Sequence, residues 1–397
     1  MKEKRLVSIF YFDANIAGKD MFLVPKYLSN YLGMQGEIVY PINQDNIDFD
    51  DSYREMKLTP IKSLSKFHST VWSEKEMAWW LIKNAKRIDV LCLFWLNQRN
   101  IIFAKIYKLL NPNGICYVKG DLGYTDFSKL PNKGFWSYFR KLFTKAIDIY
   151  SVETEVNYEA IKQGLFGDHL RKSTVLMSNG FDIELFENLN ITKRHFDKKE
   201  NLLITVGRLG TAQKNNEMML AALDGVDMYN WKFMLVGNVE AEFLKAFNEF
   251  ILRNPDKRDK VLITGAIYDR AKLFDLYNKS KLFILTSNWE GMANVFPEAL
   301  ALGNYIITTN VSGSKEISDN ERLGKIINIG DIDALRTALR DVFESKVDLE
   351  TNYREAINFS DSNFNWRQLI AKVGDRIVEI NFKKRIEVKV PFFKVLF

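Results

Sequence analysis

The feature that most constrains this chain is an alternation that runs through it twice. Short β-branched and aromatic runs are followed each time by a longer amphipathic stretch. In the first half the strand candidates are Leu6–Phe12, Glu37–Tyr40, Asp89–Phe94, Ile115–Val118, Ile147–Val152 and Thr174–Met177, separated by helical segments such as Lys19–Leu32 and Glu155–Gln163. In the second half they are Asn201–Val206, Lys232–Val236, Lys260–Ile263, Lys281–Leu285 and Tyr305–Thr309, with helices beginning near Lys214, Glu240, Asp269 and Pro297. Strands alternating with helices predict an α/β fold with doubly wound parallel sheets. The length of 397 residues suits two domains. A polar stretch without periodicity at 181–200 reads as the linker between domains 1–180 and 201–363. Two such sheets facing a cleft would bind a ligand beyond the carboxyl ends of their strands.

Other classes close quickly. Hydrophobic residues make up 47% and charged residues 27%, a globular composition, and 8 Pro and 21 Gly are too few for collagen-like or linker-dominated chains. Cys92 and Cys116 lie in apolar runs and cannot form a disulfide framework. His68, His169 and His195 are scattered, which leaves little for a zinc site, and no metal is expected. No apolar run reaches the ~18–20 residues of a membrane span. The basic-then-apolar start is interrupted by Asp13 and reads as a first strand rather than a leader, so the expectation is a cytoplasmic protein.

Charge is unevenly spread. Residues 81–145 hold 12 basic and 3 acidic side chains, and 382–397 hold 5 and 1, against a net charge of +6 for the whole chain. The region 129–145 and the tail 382–397 interleave cations with aromatic residues, a pattern suited to peripheral contact with an anionic membrane. A sheet-packing helix and a partly docked terminus explain them as well. No nucleic-acid motif is present.

Two motifs carry chemistry. In the stretch from Thr286 to Gly303, an apolar strand enters a polar loop and Pro297 opens a helix that Gly303 ends. Glu290 and Glu298 stand eight apart on this corner, where carboxylates can accept from sugar hydroxyls while helix N-terminal amides hold a phosphate. The plainer reading makes Glu298 a complement to the helix dipole and Glu290 a solvated loop residue. In the stretch from Val206 to Glu217, Gly207 and Gly210 bracket Arg208, and Lys214 opens a helix. Both cations can then converge on a diphosphate, although ordinary surface cations would look similar.

Taken in order, Gly207-Arg208-Leu209…Lys214, Val236-Gly237, Thr264-Gly265 and the Glu290-x7-Glu298 corner resemble the donor-binding domain of the retaining glycosyltransferase family 4 enzymes (glycosyltransferase group 1), which have the GT-B fold. Asn179-Gly180-Phe181-Asp182 resembles that family's interdomain hinge. Trp366 is similar to the Trp that opens its C-terminal helix, here 364–381, which crosses back to the N-terminal domain. The resemblance is specific over 174–310 and again near 364–380. It implies that Arg208 and Lys214 hold the diphosphate of a nucleotide-sugar, that Glu290 meets donor-sugar hydroxyls, and that backbone of Gly291, Met292, Ala293, Asn294 and Val295 lies against sugar and phosphate. It further implies ribose hydroxyls at Glu298, the base at Gly265–Ile267, and no cofactor or divalent metal. A UDP-sugar is favoured and a GDP-sugar remains open. The implied acceptor is a glycan or lipid-linked saccharide of a surface polysaccharide.

The first half departs from this pattern. The family's Gly-Gly loop is reduced to Gly18, and no histidine lies between His68 and His169, where many members place one near the reacting carbon. Asp121 is the candidate for a positioning role there, with an ordinary polar turn as the alternative. Two other readings stay open: a sugar-nucleotide epimerase, which the scarcity of histidine disfavours, and a non-catalytic subunit that stabilises a partner transferase.

Overall fold

The structure is a computed structural model. It describes residues 3–12, 16, 18–42, 55–61, 70–121, 142, 144–164 and 166–389. It falls into two compact units, Met1–Ser178 with Trp366–Phe397, and Asn179–Asn365.

The first unit is built on strands β1 (Arg5–Ile9), β2 (Gln35–Pro41), β3 (Lys57–Ile61), β4 (Val90–Phe94), β5 (Ile115–Lys119), β6 (Ile149–Val152) and β7 (Thr174–Leu176). Their order is β3-β2-β1-β4-β5-β6-β7, and every pairing is parallel. β4 and β5 are buried at each position, as strands covered on both faces must be. β3 is absent from the sequence-derived strands because Pro60 interrupts its pattern. At the sheet edge a proline is tolerated, since its missing N–H faces no neighbouring strand.

The second unit holds β8 (Glu200–Val206), β9 (Lys232–Val236), β10 (Val261–Gly265), β11 (Ser280–Leu285), β12 (Tyr305–Thr309) and β13 (Gly324–Ile327), in the parallel order β10-β9-β8-β11-β12-β13. The order reverses between β8 and β11, so their two following loops flank a topological switch point. Leu203, Phe233, Leu282 and Ile284 pack one face of the sheet, and Ile204, Phe283, Phe296 and Leu300 pack the other. Edge strand β13 also escaped the sequence reading: four residues beginning with Gly324 leave too little pattern.

Three boundaries differ from the sequence expectation. The stretch 181–200 belongs to the second unit and is no bare linker, because Asp182 caps a helix over Ile183–Asn188 through Leu185 N and Phe186 is buried in the core. The helix after β8 begins at Glu217, not Lys214, because Asn215 sits at φ 44° and ends the preceding turn. Pro297 is the third residue of the helix Val295–Ala301, still in the first turn, where a missing N–H costs nothing. The last helix, Ala371–Lys389, belongs to the first unit, where Tyr31 Oη of the helix Asp20–Leu32 donates to its Asp375 at 2.5 Å. Among the described residues no helix is long and apolar enough to cross a membrane. Most of 129–145 (129–141 and 143) and residues 390–397 of the tail lie outside the described residues.

Candidate functional site

The loops after β8 and β11 meet above the switch point. Thr286 Oγ1 donates to the carbonyls of Lys214 (3.1 Å) and Asn215 (2.9 Å), Asn288 N donates to Gln213 O (2.8 Å), and Asn288 Nδ2 donates to Ala212 O (2.8 Å). These bonds join the loops before any ligand arrives. Lys214 Nζ then lies 2.6 Å from Glu290 Oε1, with both side chains largely buried. Gln213 extends the set: its Nε2 donates to Glu290 Oε2 (3.3 Å), and its Oε1 accepts from exposed Arg208 (2.7 Å). Arg208, Gln213, Glu290 and Lys214 thus form one chain of contacts. Gln213 was invisible in the sequence, since a lone glutamine in a loop carries no periodic or charge signal.

Backbone glycines make room for this. Gly207 lies beneath the Lys214 stem. Gly237, at φ 152°, sits so close to Gly207 that a Cβ there would run into the Gly207 carbonyl oxygen. Only glycine allows the β8 and β9 ends to approach this closely.

Beyond Glu290 the chain turns into the helix Val295–Ala301. Asn179 Nδ2 donates to Met292 O at 2.8 Å and fixes that turn. The amides of Met292, Ala293, Asn294 and Val295 donate to no acceptor among the described residues. Consecutive unpaired N–H groups at a loop–helix corner carry partial positive charge and suit an anion. Gly291 precedes this row of amides. Gly303 closes the helix at φ 72°, with its N–H on Leu300 O at 2.9 Å, as expected for a helix end.

Glu298 is buried, and it is not free: the Arg270 guanidinium holds Glu298 Oε1. Burial pulls the Arg270 pKa down, but the Glu298 charge outweighs it and leaves it above the ordinary value. Burial and the same carboxylate push the Tyr277 phenol well up. At the end of β10, Gly265 has φ 74° and open space where a side chain would stand, and its carbonyl accepts from Gly237 N at 3.0 Å. Ile267 packs against the core beneath.

Asp121 and Gly18 belong to the first unit. Gly18 lies in the turn before the helix Asp20–Leu32. Lys119, wholly buried at the end of β5, pairs with Asp20 Oδ2 at 2.9 Å and with Glu153. Burial opposes the Lys119 charge, yet Asp20 and Glu153 hold its pKa well up. Asp121 follows two residues later, exposed as a residue. Desolvation of its carboxyl, helped by the charge of Asp20 and opposed by Lys119, raises its pKa. The Glu153 pKa is raised well above the usual range by burial and by the neighbouring Asp121 and Asp20 charges, with Lys119 pulling the other way. Among the described residues, no group of three or more His, Cys, Asp or Glu is placed to hold a metal ion.

Residues 200–345 match the family model described as glycosyl transferases group 1. Over this stretch the second unit is similar to that family. The match covers both loops, the Arg270–Glu298 pair and the unpaired amides. Two relatives are similar at 27% identity. One is the capsular polysaccharide biosynthesis glycosyltransferase CapM of Staphylococcus aureus, over 60% of this chain and 65% of its own length. The other is the UDP-Gal:alpha-D-GlcNAc-diphosphoundecaprenol alpha-1,3-galactosyltransferase of Escherichia coli, over 64% of this chain and 65% of its own. This chain therefore spans about 65% of the length of either relative. Among solved structures, Anabaena HepE in complex with UDP superposes with a TM-score of 0.68 at 13% identity, covering 95% of this chain and 100% of that one. A glycosyltransferase from Rickettsia africae reaches 0.70 at 16% identity, covering 96% and 99%. These likenesses establish the fold, which is GT-B: two parallel-sheet α/β units.

Proposed function

We propose that this chain is a glycosyltransferase that moves a sugar from a nucleoside-diphosphate sugar to a glycan or lipid-linked saccharide, with retention of anomeric configuration, in surface-polysaccharide assembly. The observation that carries the reading is the row of four unpaired amides at 292–295 beside the Lys214–Glu290–Gln213–Arg208 chain. Such a corner can neutralise a diphosphate and present a carboxylate to sugar hydroxyls at the same time.

In this reading the diphosphate lies on the amides, Lys214 shares its ammonium between Glu290 and phosphate oxygens, and Arg208 swings from Gln213 onto the leaving group. Negative charge builds there as the glycosidic bond to phosphate breaks, and the arriving guanidinium stabilises it. The acceptor hydroxyl attacks the anomeric carbon from the face the phosphate leaves, and its proton passes to the departing phosphate oxygen. No divalent metal is needed, because the cations and amides supply the positive charge. Glu298 takes the ribose hydroxyls, and the backbone at Gly265–Ile267 meets the base. UDP is the favoured nucleotide, supported by the UDP-bound state of HepE and by the UDP-galactose named for the E. coli relative. That relative's name, with its diphosphoundecaprenol-linked sugar, and the capsular role in CapM's name support a lipid-linked or polysaccharide acceptor. Such an acceptor makes peripheral contact with an anionic membrane, at the cytoplasmic face, part of the same proposal.

Calorimetric titration with UDP, GDP, ADP and dTDP in metal-free buffer tests this. One nucleotide should bind in the micromolar range, about 8 kcal/mol. Lys214→Met should lose about 1–3 kcal/mol, the worth of a charged hydrogen bond. If the folded protein binds none of them, the donor site does not exist as described and a non-catalytic subunit becomes the better reading. With donor and acceptor in hand, the anomeric coupling constant of the product reports retention or inversion directly.

A further inference from the structure

We propose that Arg270 is a positioning residue for nucleotide recognition, fixing the Glu298 carboxylate so that its free oxygen meets the ribose hydroxyls; this rests on reading Glu298 as the ribose residue. Three observations converge on it. Arg270 opens the helix Arg270–Lys279, whose Asp269 cap accepts from Lys272 N at 3.2 Å, so its backbone is anchored. The guanidinium lies over the Phe274 ring, 4.4 Å from its centroid and one helical turn on, which holds the plane of the fork. From that position it takes Glu298 Oε1 and leaves Oε2.

The chemistry explains why such a partner is needed. A carboxylate that accepts from a vicinal diol must be ionised and must keep its lone pairs turned outward. Glu298 is buried beside apolar neighbours and the Tyr277 phenol. Burial leaves a carboxylate without water to hold its orientation, so a fixed partner must do so. A single-ended pair with Arg270 fixes the orientation while sparing one oxygen. A bidentate pair would occupy both. The Arg270 Nε is itself buried without an acceptor, so the guanidinium makes fewer bonds than it could.

The test compares the dissociation constant of the best-binding nucleoside diphosphate with that of its 2′-deoxy counterpart, by calorimetry. The wild type should prefer the ribonucleotide by about tenfold or more, the worth of a hydrogen bond to a charged group. Arg270→Met should bring that preference to within about twofold while the 2′-deoxy nucleotide binds nearly as before, and Arg270→Lys should fall between. A merely structural role would weaken both nucleotides alike, so an equal loss, or an unchanged preference, overturns the inference. Glu298→Gln separates the two levels. If it abolishes the preference and Arg270→Met does not, the ribose reading stands and the role of Arg270 falls. If Glu298→Gln keeps the preference, the ribose reading itself is wrong. Should Arg270→Met fail to fold by its thermal transition, Arg270→Lys decides, with loss of preference supporting the proposal and full retention refuting it.

Discussion

Lys199 offers a test of how the second unit holds its site. This lysine is 6% exposed, and among the described residues no carboxylate pairs with it. Its ammonium donates instead to Ser280 O and Leu302 O, both at 2.7 Å, and to Tyr277 O at 3.5 Å. Those carbonyls close the C-terminal ends of the helices Arg270–Lys279 and Val295–Ala301, whose opposite ends carry Arg270 and Glu298. Burial, with lesser repulsion from Arg194 and Lys281, lowers its pKa from 10.5 to about 7. Between these two values the unfolded chain holds a proton that the folded protein has released, so stability rises with pH across that window. Each pH unit contributes about 1.4 kcal/mol, which gives about 4 kcal/mol between pH 7 and pH 10 as an upper figure. Urea denaturation of the wild type and Lys199→Met, at half-unit steps from pH 6.5 to 10, isolates this group, because every other titration is common to both. The difference in unfolding free energy should tilt towards the wild type as pH rises and flatten below pH 7. Two parallel curves would refute the reasoning. They would mean that the three carbonyls hold the charge in place and that desolvation is the weaker effect.

Two further outcomes follow from other positions. Gly237→Ala should destabilise the second unit by about 3 kcal/mol or more, since the new Cβ meets the Gly207 carbonyl at a positive φ; a melting temperature unchanged from wild type would show that β8 and β9 can part at no cost. Asp121, with its raised pKa, should give the transfer rate an acid limb above the ordinary carboxylate range, activity falling as pH drops through it; Asp121→Asn should remove that limb, and an unchanged limb would exclude Asp121 from the rate.

The candidate site is legible in the sequence through glycines and charges at strand ends, because those positions are dictated by local geometry. Gly207, Gly237, Gly265 and Gly303 all stand where the backbone turns or approaches its neighbour, and the motif order followed from that. What it could not announce was pairing across the fold. Arg270 reads as one more cation at the start of a helix, and nothing in its spacing says that Glu298, 28 residues on, takes its guanidinium. Gln213 is similar: its partners Arg208, Trp289 and Glu290 become neighbours only once the β8 and β11 loops come together at the switch point. The start of the helix at Glu217 rather than Lys214 has the same origin. Helical propensity favours starting early, but Thr286 takes the carbonyls of Lys214 and Asn215, which an earlier start would have used within the helix. Tertiary hydrogen bonds outweighed a local preference of a few tenths of a kcal/mol per residue.

The same joining of loops bears on how a donor would be received. Binding ordinarily costs about 0.5–1.5 kcal/mol for each rotamer-rich side chain that must be immobilised. Lys214 and Glu290 already hold each other at 2.6 Å, Asn179 already fixes the turn at Met292, and the amides at 292–295 already stand without acceptors. For these groups most of that cost is met in folding. Arg208 is the exception, exposed and held among the described residues only by Gln213. It is therefore the group with the most freedom left to lose, and it is also the cation best placed to follow charge onto a leaving group. A site with a rigid anion cradle and one mobile cation would bind the ground-state diphosphate through the cradle and reserve the arginine for the transition state. On that division Arg208→Lys should lower the turnover rate far more than it weakens nucleotide binding, whereas Lys214→Met should do the reverse.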